Sequence, residues 1–193
     1  FLKKIIRIIL MFLFRFDYWH TSPKENRKYV RDVINELSVQ DNRNTIIEFG
    51  CGLGDIIGNA DYKKKYFFDI SQRVLKAAKF LQFFSLKKSR NIYKVYDLFN
   101  DSLQDKILAD AIILVNWIHG FDSKVLRYRL DKLIKNNLRV GGILVFDMIE
   151  NNSNYKFNHE VNDLIDENNF DIEIVDGYQF GRKLVYARLI RKI

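Results

Sequence analysis

The sequence is poor in cysteine and proline, with one residue of each among 193. The single cysteine, Cys51, excludes an internal disulfide framework and a cysteine-rich zinc site, and it favours a reducing, cytoplasmic compartment. Long hydrophobic runs are also missing, since the longest apolar stretch covers residues 8–14 and a transmembrane helix needs about 20 residues. A composition of 48% hydrophobic and 29% charged residues therefore predicts a globular domain rather than a disordered, collagen-like or membrane-spanning chain.

Acidic residues are outnumbered, with 24 against 32 lysines and arginines, which gives a net charge of +8. This balance favours anionic surroundings such as nucleic acid, acidic lipid or a phosphorylated substrate. The basic residues are scattered along the chain, so most of them are expected to be solvated surface charge. Charge alone therefore leaves a nucleic-acid partner open without favouring it.

Residues 1–16 predict an amphipathic helix. Lys3, Lys4, Arg7 and Arg15 fall within about 120° of a helical wheel, and the remaining arc is apolar. Three alternatives stay open: the helix docks on the protein's own core, it forms a homodimer interface, or it lies on a membrane surface. We expect residues 1–22 to form a helical arm that acts as a lid or an interface, and residues 23–193 to form the main domain.

Downstream of this arm, strand-like and helix-like segments alternate. Ser22-Pro23-Lys24-Glu25 resembles a helix start with a capping box and predicts a helix over 23–38. Further helices are predicted over 55–59, 71–84, 123–137 and 159–168, with Ser71 as the cap of the second and a break at Gly141-Gly142. The predicted strands cover residues 45–49, 66–68, 92–96, 111–115, 143–146, 172–175 and 184–190. This alternation predicts an α/β fold with a doubly wound, mostly parallel seven-stranded sheet and a terminal antiparallel hairpin.

A glycine-rich turn follows the first strand, where a backbone can approach a nucleotide-like ligand closely. Gly50 and Gly52 match two of the three glycines of a dinucleotide-binding fingerprint, but Asp55 replaces the third. Its carboxylate would lie where a pyrophosphate must bind, which argues against NAD and FAD. A ligand without phosphates removes this conflict.

Residues 46–54, Ile-Ile-Glu-Phe-Gly-Cys-Gly-Leu-Gly, resemble the first motif of the class I S-adenosyl-L-methionine-dependent methyltransferases. Acidic residues follow the second and third strands, and residues 110–116 and 138–145 resemble two later motifs of the same family. The resemblance implies a methyltransferase that uses S-adenosyl-L-methionine and releases S-adenosylhomocysteine. It implies that Asp69 binds the ribose hydroxyls and that Asp97 faces the adenine amino group. The cofactor-binding residues predicted in this way are Glu48, Gly50, Gly52, Gly54, Asp69, Ile70, Asp97, Leu98, Asn116 and Trp117.

The sequence indicates the methyl acceptor less clearly than it indicates the cofactor. The segment after the fourth strand, residues 116–121, lacks the Asn/Asp-Pro-Pro-aromatic signature of many enzymes that methylate amino groups. A paired-carboxylate signature of the metal-dependent catechol type is also missing, so we expect no metal. All three histidines are predicted at the carboxyl ends of the strands, where ligands bind in such sheets. We interpret His119 as a general base and His20 as a substrate contact, with a structural role as the alternative.

These observations predict methyl transfer to a small-molecule or sugar-containing acceptor, on oxygen. One alternative is an RNA or protein methyltransferase, which only the positive charge supports. Another is a binding protein that retains the fold without catalysis. A third is a membrane-peripheral enzyme that uses residues 1–16.

Overall fold

The computed structural model describes residues 2–83, 89–101, 103, 107–150 and 155–191. The chain divides into two compact units, Phe1–Asp97 and Leu98–Ile193. The division predicted at residue 22 is a different one, and it stays a prediction.

In its described residues, the first unit contains three α-helices and three strands. In chain order these are α1 (Leu2–Phe14), α2 (Lys28–Ser38), β1 (Thr45–Phe49), β2 (Lys64–Asp69), α3 (Gln72–Phe83) and β3 (Arg90–Val95). The first residue of α3 follows Ser71, whose Oγ accepts the backbone N–H of Val74 at 3.3 Å as a helix cap. Four of the five residues of β1 are fully covered, as a strand inside a parallel sheet requires.

The second unit contains the remaining elements. These are β4 (Ala109–Leu114), α4 (Ser123–Asn137), β5 (Leu138–Ile149), α5 (Val161–Leu164), β6 (Phe170–Val175) and β7 (Arg182–Leu189). All six residues of β4 are buried. Helix α4 has the predicted bounds, and Asp122 caps it by accepting the backbone N–H of Lys124.

The strands form a seven-stranded sheet in the order β3-β2-β1-β4-β5-β7-β6. Strands β1, β2 and β3 pair in parallel, and so do β4 and β5. Strand β7 runs antiparallel to both β5 and β6. The predicted sheet with its terminal antiparallel hairpin is therefore confirmed.

The helix predicted over 23–38 begins later than the sequence indicates. Residues Lys24–Asn26 form a short 3-10 helix, and α2 starts at Lys28. Arg27 has an extended backbone with φ of −121°, which interrupts the helix. The guanidinium of Arg27 pairs with the carboxylate of Asp55, so a tertiary ion pair takes precedence over the local capping signal.

Three other local predictions also need correction. Residues 55–59 form consecutive turns instead of a brief helix. Gly141 and Gly142 lie inside β5, at an irregularity where the register to β4 shifts, so they do not separate helix from strand. The helix predicted over 159–168 is reduced to the four residues of α5.

Helix α1 packs on the rest of the first unit with an unexpected orientation. Its buried residues are Arg7 and Leu10, and Leu10 joins a core cluster with Leu53 and Val74. The arm thus docks on the protein's own core, but it does so through the side of the helix that carries the charges. Within the part of the chain that the structure describes, every helix falls short of the length and hydrophobicity that crossing a bilayer requires.

Candidate active site

The glycine loop after β1 adopts a backbone that ordinary residues avoid. Gly50, Gly52 and Gly54 have φ of 61°, 53° and 75°, values that favour residues without a Cβ atom. A Cβ at Gly54 would approach the ring of Phe67 to 2.6 Å. The loop therefore requires these glycines for its shape, and it exposes backbone rather than side chains to a ligand.

Asp69 links the end of β2 to this loop. Its Oδ2 accepts the backbone N–H of Gly52 at 3.0 Å, and its Oδ1 accepts that of Ser71 at 2.9 Å. An ionised carboxylate offers about four lone-pair sites, so each oxygen keeps acceptor capacity. The structure thus joins two of the predicted cofactor residues, Gly52 and Asp69, through a hydrogen bond.

Glu48 is buried beneath the same loop, with 4% of its surface exposed. Its Oε2 accepts the backbone N–H of Ile57 at 3.0 Å, which connects β1 to the turns that follow the loop. Burial raises the pKa of Glu48 to about 8. The group is therefore mostly protonated at neutral pH in the free protein, and a nearby positive charge would favour its ionisation.

The Glu48→Gln variant should remove a pH-dependent loss of unfolding free energy. Between its ordinary pKa of 4.5 and the folded value of about 8, folded Glu48 holds a proton that the unfolded chain releases. Stability therefore falls as the pH rises through this window. We expect the variant to gain up to about 4 kcal/mol over the wild type at pH 8.5 and little at pH 5. Urea unfolding at several pH values measures this difference.

The control is Glu173→Gln, since Glu173 is exposed on β6. Its unfolding free energy should follow that of the wild type at every pH. A constant difference between wild type and Glu48→Gln across this range would contradict the assignment.

Asp55 also lies in this region, and sequence reasoning missed its structural role. Its carboxylate pairs with the guanidinium groups of both Arg7 and Arg27, and one bond from Arg7 Nη1 to Asp55 Oδ2 measures 2.9 Å. Arg7 Nη1 also donates to the carbonyl oxygens of Ser22 at 2.8 Å and His20 at 3.4 Å. The sequence signal for this ion pair was Arg7, a lone arginine within an otherwise apolar stretch of α1.

His20 lies over the glycine loop as a result of these contacts. A Cβ built on Gly52 would meet His20 Nδ1 at 3.0 Å, and the His20 ring packs against Trp19 with centroids 5.0 Å apart. Burial lowers the pKa of His20. This histidine therefore contacts the predicted cofactor loop, while its predicted contact with substrate stays a prediction.

The other predicted residues of this region differ in exposure. Ile70, directly after Asp69, is 74% exposed, and Leu98 is 7% exposed. Asp97 is half-buried and follows β3 by two residues. Their roles toward a cofactor stay predictions.

In the second unit, Asn116 follows β4 and has a φ of 77°. The fully buried Asp147 on β5 accepts the backbone N–H of Asn116 at 2.7 Å and pairs with Arg182 on β7. Arg182 Nη2 donates to Asn116 Oδ1 at 2.9 Å. These bonds hold Asn116 in a left-handed conformation, which is uncommon for any residue other than glycine. Sequence analysis missed Asp147 and Arg182, although an acid within an apolar strand is a recognisable signal.

His119 is fully buried beside this cluster. Its Nε2 lies 3.3 Å from Asp147 Oδ2, and its ring packs edge-on against Tyr155 at 4.9 Å. Among the described residues, neither ring nitrogen has a hydrogen-bond partner. Burial, together with the charge of Arg182, lowers the pKa of His119 to about 4, so its imidazole is neutral at pH 7. His159 instead contacts the Ile118 carbonyl oxygen through Nε2 at 3.3 Å.

Trp117 adds an aromatic group to the same loop. Its ring lies edge-on to those of Phe99 and Phe121. Its Nε1 is buried and has no hydrogen-bond partner within the described ranges. Buried donors of this kind are normally hydrogen-bonded, so this indole N–H is an exception.

The first unit fits an S-adenosylmethionine-type ligand in its donor and acceptor groups. Asp69 retains lone pairs for hydroxyl groups, the glycine loop presents backbone, and Ile70 offers exposed apolar surface beside them. In the described parts of the chain, no three His, Cys, Asp or Glu residues are grouped to hold a metal ion. The expectation of a metal-independent reaction stays a prediction.

Comparison with known proteins gives matches by structure only. No family model matches the sequence, and no curated protein sequence does. The N-methyltransferase NodS from Bradyrhizobium japonicum WM9, in complex with S-adenosyl-L-homocysteine, superposes with a TM-score of 0.73 at 18% identity, over 96% of this chain and 99% of NodS.

Two further solved structures are similar. Magnesium protoporphyrin IX methyltransferase (ChlM) from Synechocystis PCC 6803, with bound SAM, gives a TM-score of 0.66 at 16% identity, over 84% of this chain and 79% of that chain. An S-adenosylmethionine-dependent methyltransferase from Clostridium acetobutylicum ATCC 824 gives 0.62 at 18% identity, over 84% and 91%. Together with the strand order, these likenesses show that the chain has the class I methyltransferase fold.

Proposed function

We propose that this protein is an S-adenosyl-L-methionine-dependent methyltransferase. The observation that carries the proposal is the bond between Asp69 and Gly52, which fixes an acidic side chain onto a glycine loop. The fold adds support, because similar structures were determined with S-adenosylmethionine or S-adenosylhomocysteine bound.

In this proposal each side chain has a distinct task toward the cofactor. The carboxylate of Asp69 accepts hydrogen bonds from the two ribose hydroxyls, and that of Asp97 accepts one from the adenine amino group. Glu48 compensates the positive charge of the amino-acid tail, and Asn116 and Trp117 of the second unit are proposed as further cofactor residues from the family resemblance. When bound, the cofactor supplies an electrophilic methyl group. The protein's contribution is alignment of the two reactants.

We propose a small-molecule or sugar-containing acceptor that is methylated on oxygen. An acceptor hydroxyl must lose a proton, and a neutral histidine can accept it. Neither ring nitrogen of His119 has a hydrogen bond among the described residues, so a nitrogen of the neutral imidazole can take the proton. Its pKa of about 4 makes it a weak base at pH 7, so the role requires the bound acceptor to raise that pKa. Because His119 is fully buried, the role requires a movement of its surroundings that brings the acceptor into contact with the imidazole. NodS is an N-methyltransferase, so amines also belong among the acceptors tested.

The His119→Gln variant tests this assignment while nearly preserving side-chain volume. We expect turnover to fall about 100-fold or more and the affinity for S-adenosylhomocysteine to stay unchanged. The wild-type rate should stay flat from pH 8 to about pH 5 and fall below that, because His119 becomes protonated near pH 4. A variant that is less stable yet keeps the wild-type rate and pH profile would instead show a structural histidine.

The function itself is tested by calorimetric titration with S-adenosylhomocysteine, followed by an acceptor screen with methyl-labelled S-adenosylmethionine. Saturable binding and label transfer to a hydroxyl compound would support the full proposal. Binding without transfer to any acceptor would favour a catalytically silent binding protein. Transfer of the label to RNA or protein would support the methyltransferase activity but contradict the proposed small-molecule acceptor.

A further inference from the structure

The outward side of α1 is an apolar surface that the proposed function does not use. Its exposed side chains fall within about 120° of the helical wheel, opposite Arg7 and Leu10, which face the core. Each is more than a third exposed: Leu2, Ile5, Ile6, Ile9, Phe12 and Leu13. The outer face of a helix on a globular protein is ordinarily polar. This stripe therefore requires a partner of its own.

Helix α3 extends the apolar surface. The rings of Phe14 and Phe80 lie 6.4 Å apart, which joins the two helices. Phe80 is 46% exposed and Phe83 is 83% exposed. Tyr18 and Trp19, just after α1, are also exposed by about two thirds of their surface. We call the exposed side of these two helices the α1–α3 face.

The charges carried by the two helices all have one sign, although Lys3 pairs with Glu25 outside them. Neither α1 nor α3 contains an acidic residue. The exposed basic residues on the two helices are Lys3, Lys4, Arg73, Lys76 and Lys79. An apolar stripe bordered by lysine and arginine suits an apolar layer beneath a negatively charged boundary.

We propose that the α1–α3 face binds the surface of an anionic phospholipid membrane, with α1 lying in the plane of the interface. Acidic headgroups attract the basic residues within a Debye length, and tryptophan and tyrosine favour the interfacial region. A second copy of the chain is a poorer partner, because a two-fold interface through this face would oppose the same lysines to each other. Membrane binding at this face does not depend on the proposed chemistry.

Vesicle co-sedimentation of the full chain tests the proposal. Vesicles of phosphatidylcholine mixed with phosphatidylglycerol should retain the protein, and added salt should release it. Vesicles of phosphatidylcholine alone should retain far less. Replacing Lys76 and Lys79 with glutamine should lower the partition roughly 25-fold, since each basic residue near the surface contributes roughly fivefold.

An apolar variant, Ile9→Gln with Phe12→Gln and Leu13→Gln, should lower the partition at least about 100-fold. Its control is Val39→Gln, since Val39 is 71% exposed in the same unit but outside both helices. Far-UV circular dichroism establishes that each variant is folded, which is expected because the replaced side chains point away from the core. Thermal unfolding of the variants should match that of the wild type.

Three results would overturn the proposal. They are equal binding to neutral and anionic vesicles, the absence of vesicle binding by the wild type, and retention of full binding by the apolar variant. Light scattering provides an independent comparison. A wild-type dimer that the apolar variant dissociates, without lipid binding, would assign the face to a second copy.

Discussion

The Asp69→Ala variant should bind S-adenosylhomocysteine at least about 100-fold more weakly than the wild type. The proposed ribose contact consists of two hydrogen bonds to a charged acceptor, each worth about 1.5–3 kcal/mol. The same carboxylate accepts the backbone N–H groups of Gly52 and Ser71. Its removal therefore eliminates the ligand contact and loosens the glycine loop that approaches the ligand. Calorimetric titration of the folded variant gives the ratio of dissociation constants.

Asp61→Ala is the matched control for this experiment. Asp61 is an exposed aspartate of the same unit, and its contact with Arg43 spans 3.5 Å at the surface. The affinity of the Asp61→Ala variant for S-adenosylhomocysteine should equal that of the wild type. Asp69→Asn provides a second test if the alanine variant folds poorly, because asparagine keeps one acceptor oxygen. If both Asp69 variants bound S-adenosylhomocysteine with wild-type affinity, the proposal that the cofactor binds at the glycine loop would be wrong.

The Asp147→Asn variant should have the largest effect on stability. Asp147 is fully buried, and Arg182 is 6% exposed. Removing one partner of a buried ion pair leaves an uncompensated charge and costs about 3–5 kcal/mol. The backbone N–H of Asn116 also loses its charged acceptor. Urea unfolding followed by circular dichroism measures the change in unfolding free energy.

The double variant Asp147→Leu with Arg182→Met separates charge from packing. It removes both charges, so it should recover part of the stability that Asp147→Asn loses. Glu150→Gln is the exposed control, since Glu150 pairs with Lys183 at the surface and such pairs contribute at most about 1 kcal/mol. An Asp147→Asn variant as stable as this control would contradict a dominant role for the buried pair.

The strands were predictable because burial on both faces leaves a direct pattern in the sequence. Residues 111–114, Ala-Ile-Ile-Leu, are all fully buried in β4, and a continuous apolar run of that length indicates an interior parallel strand. The glycine loop was predictable for a related reason, since three glycines at alternate positions mark a backbone with positive φ.

The predictions that failed depended on contacts between distant residues. Arg27 interrupts the first core helix because Asp55, 28 positions later, pairs with its guanidinium. Asp147 and Arg182 are separated by 35 positions, so neither local propensity nor periodicity indicates that they meet. Helix α1 shows the same limit, because its wheel pattern defines two faces, whereas the contacts that turn the face with Arg7 inward come from Asp55 and Ser22 elsewhere in the chain.

The multiple bonds of Arg7 have a consequence for how ligands influence each other. Through this one guanidinium, the docking of α1, the carbonyl oxygen of His20 and the carboxylate of Asp55 beside the glycine loop form a single bonded unit. A partner that binds only the docked arm and a ligand that binds only the ordered loop would therefore be linked. Thermodynamic linkage requires that any such coupling be reciprocal, with each changing the affinity for the other by the same factor.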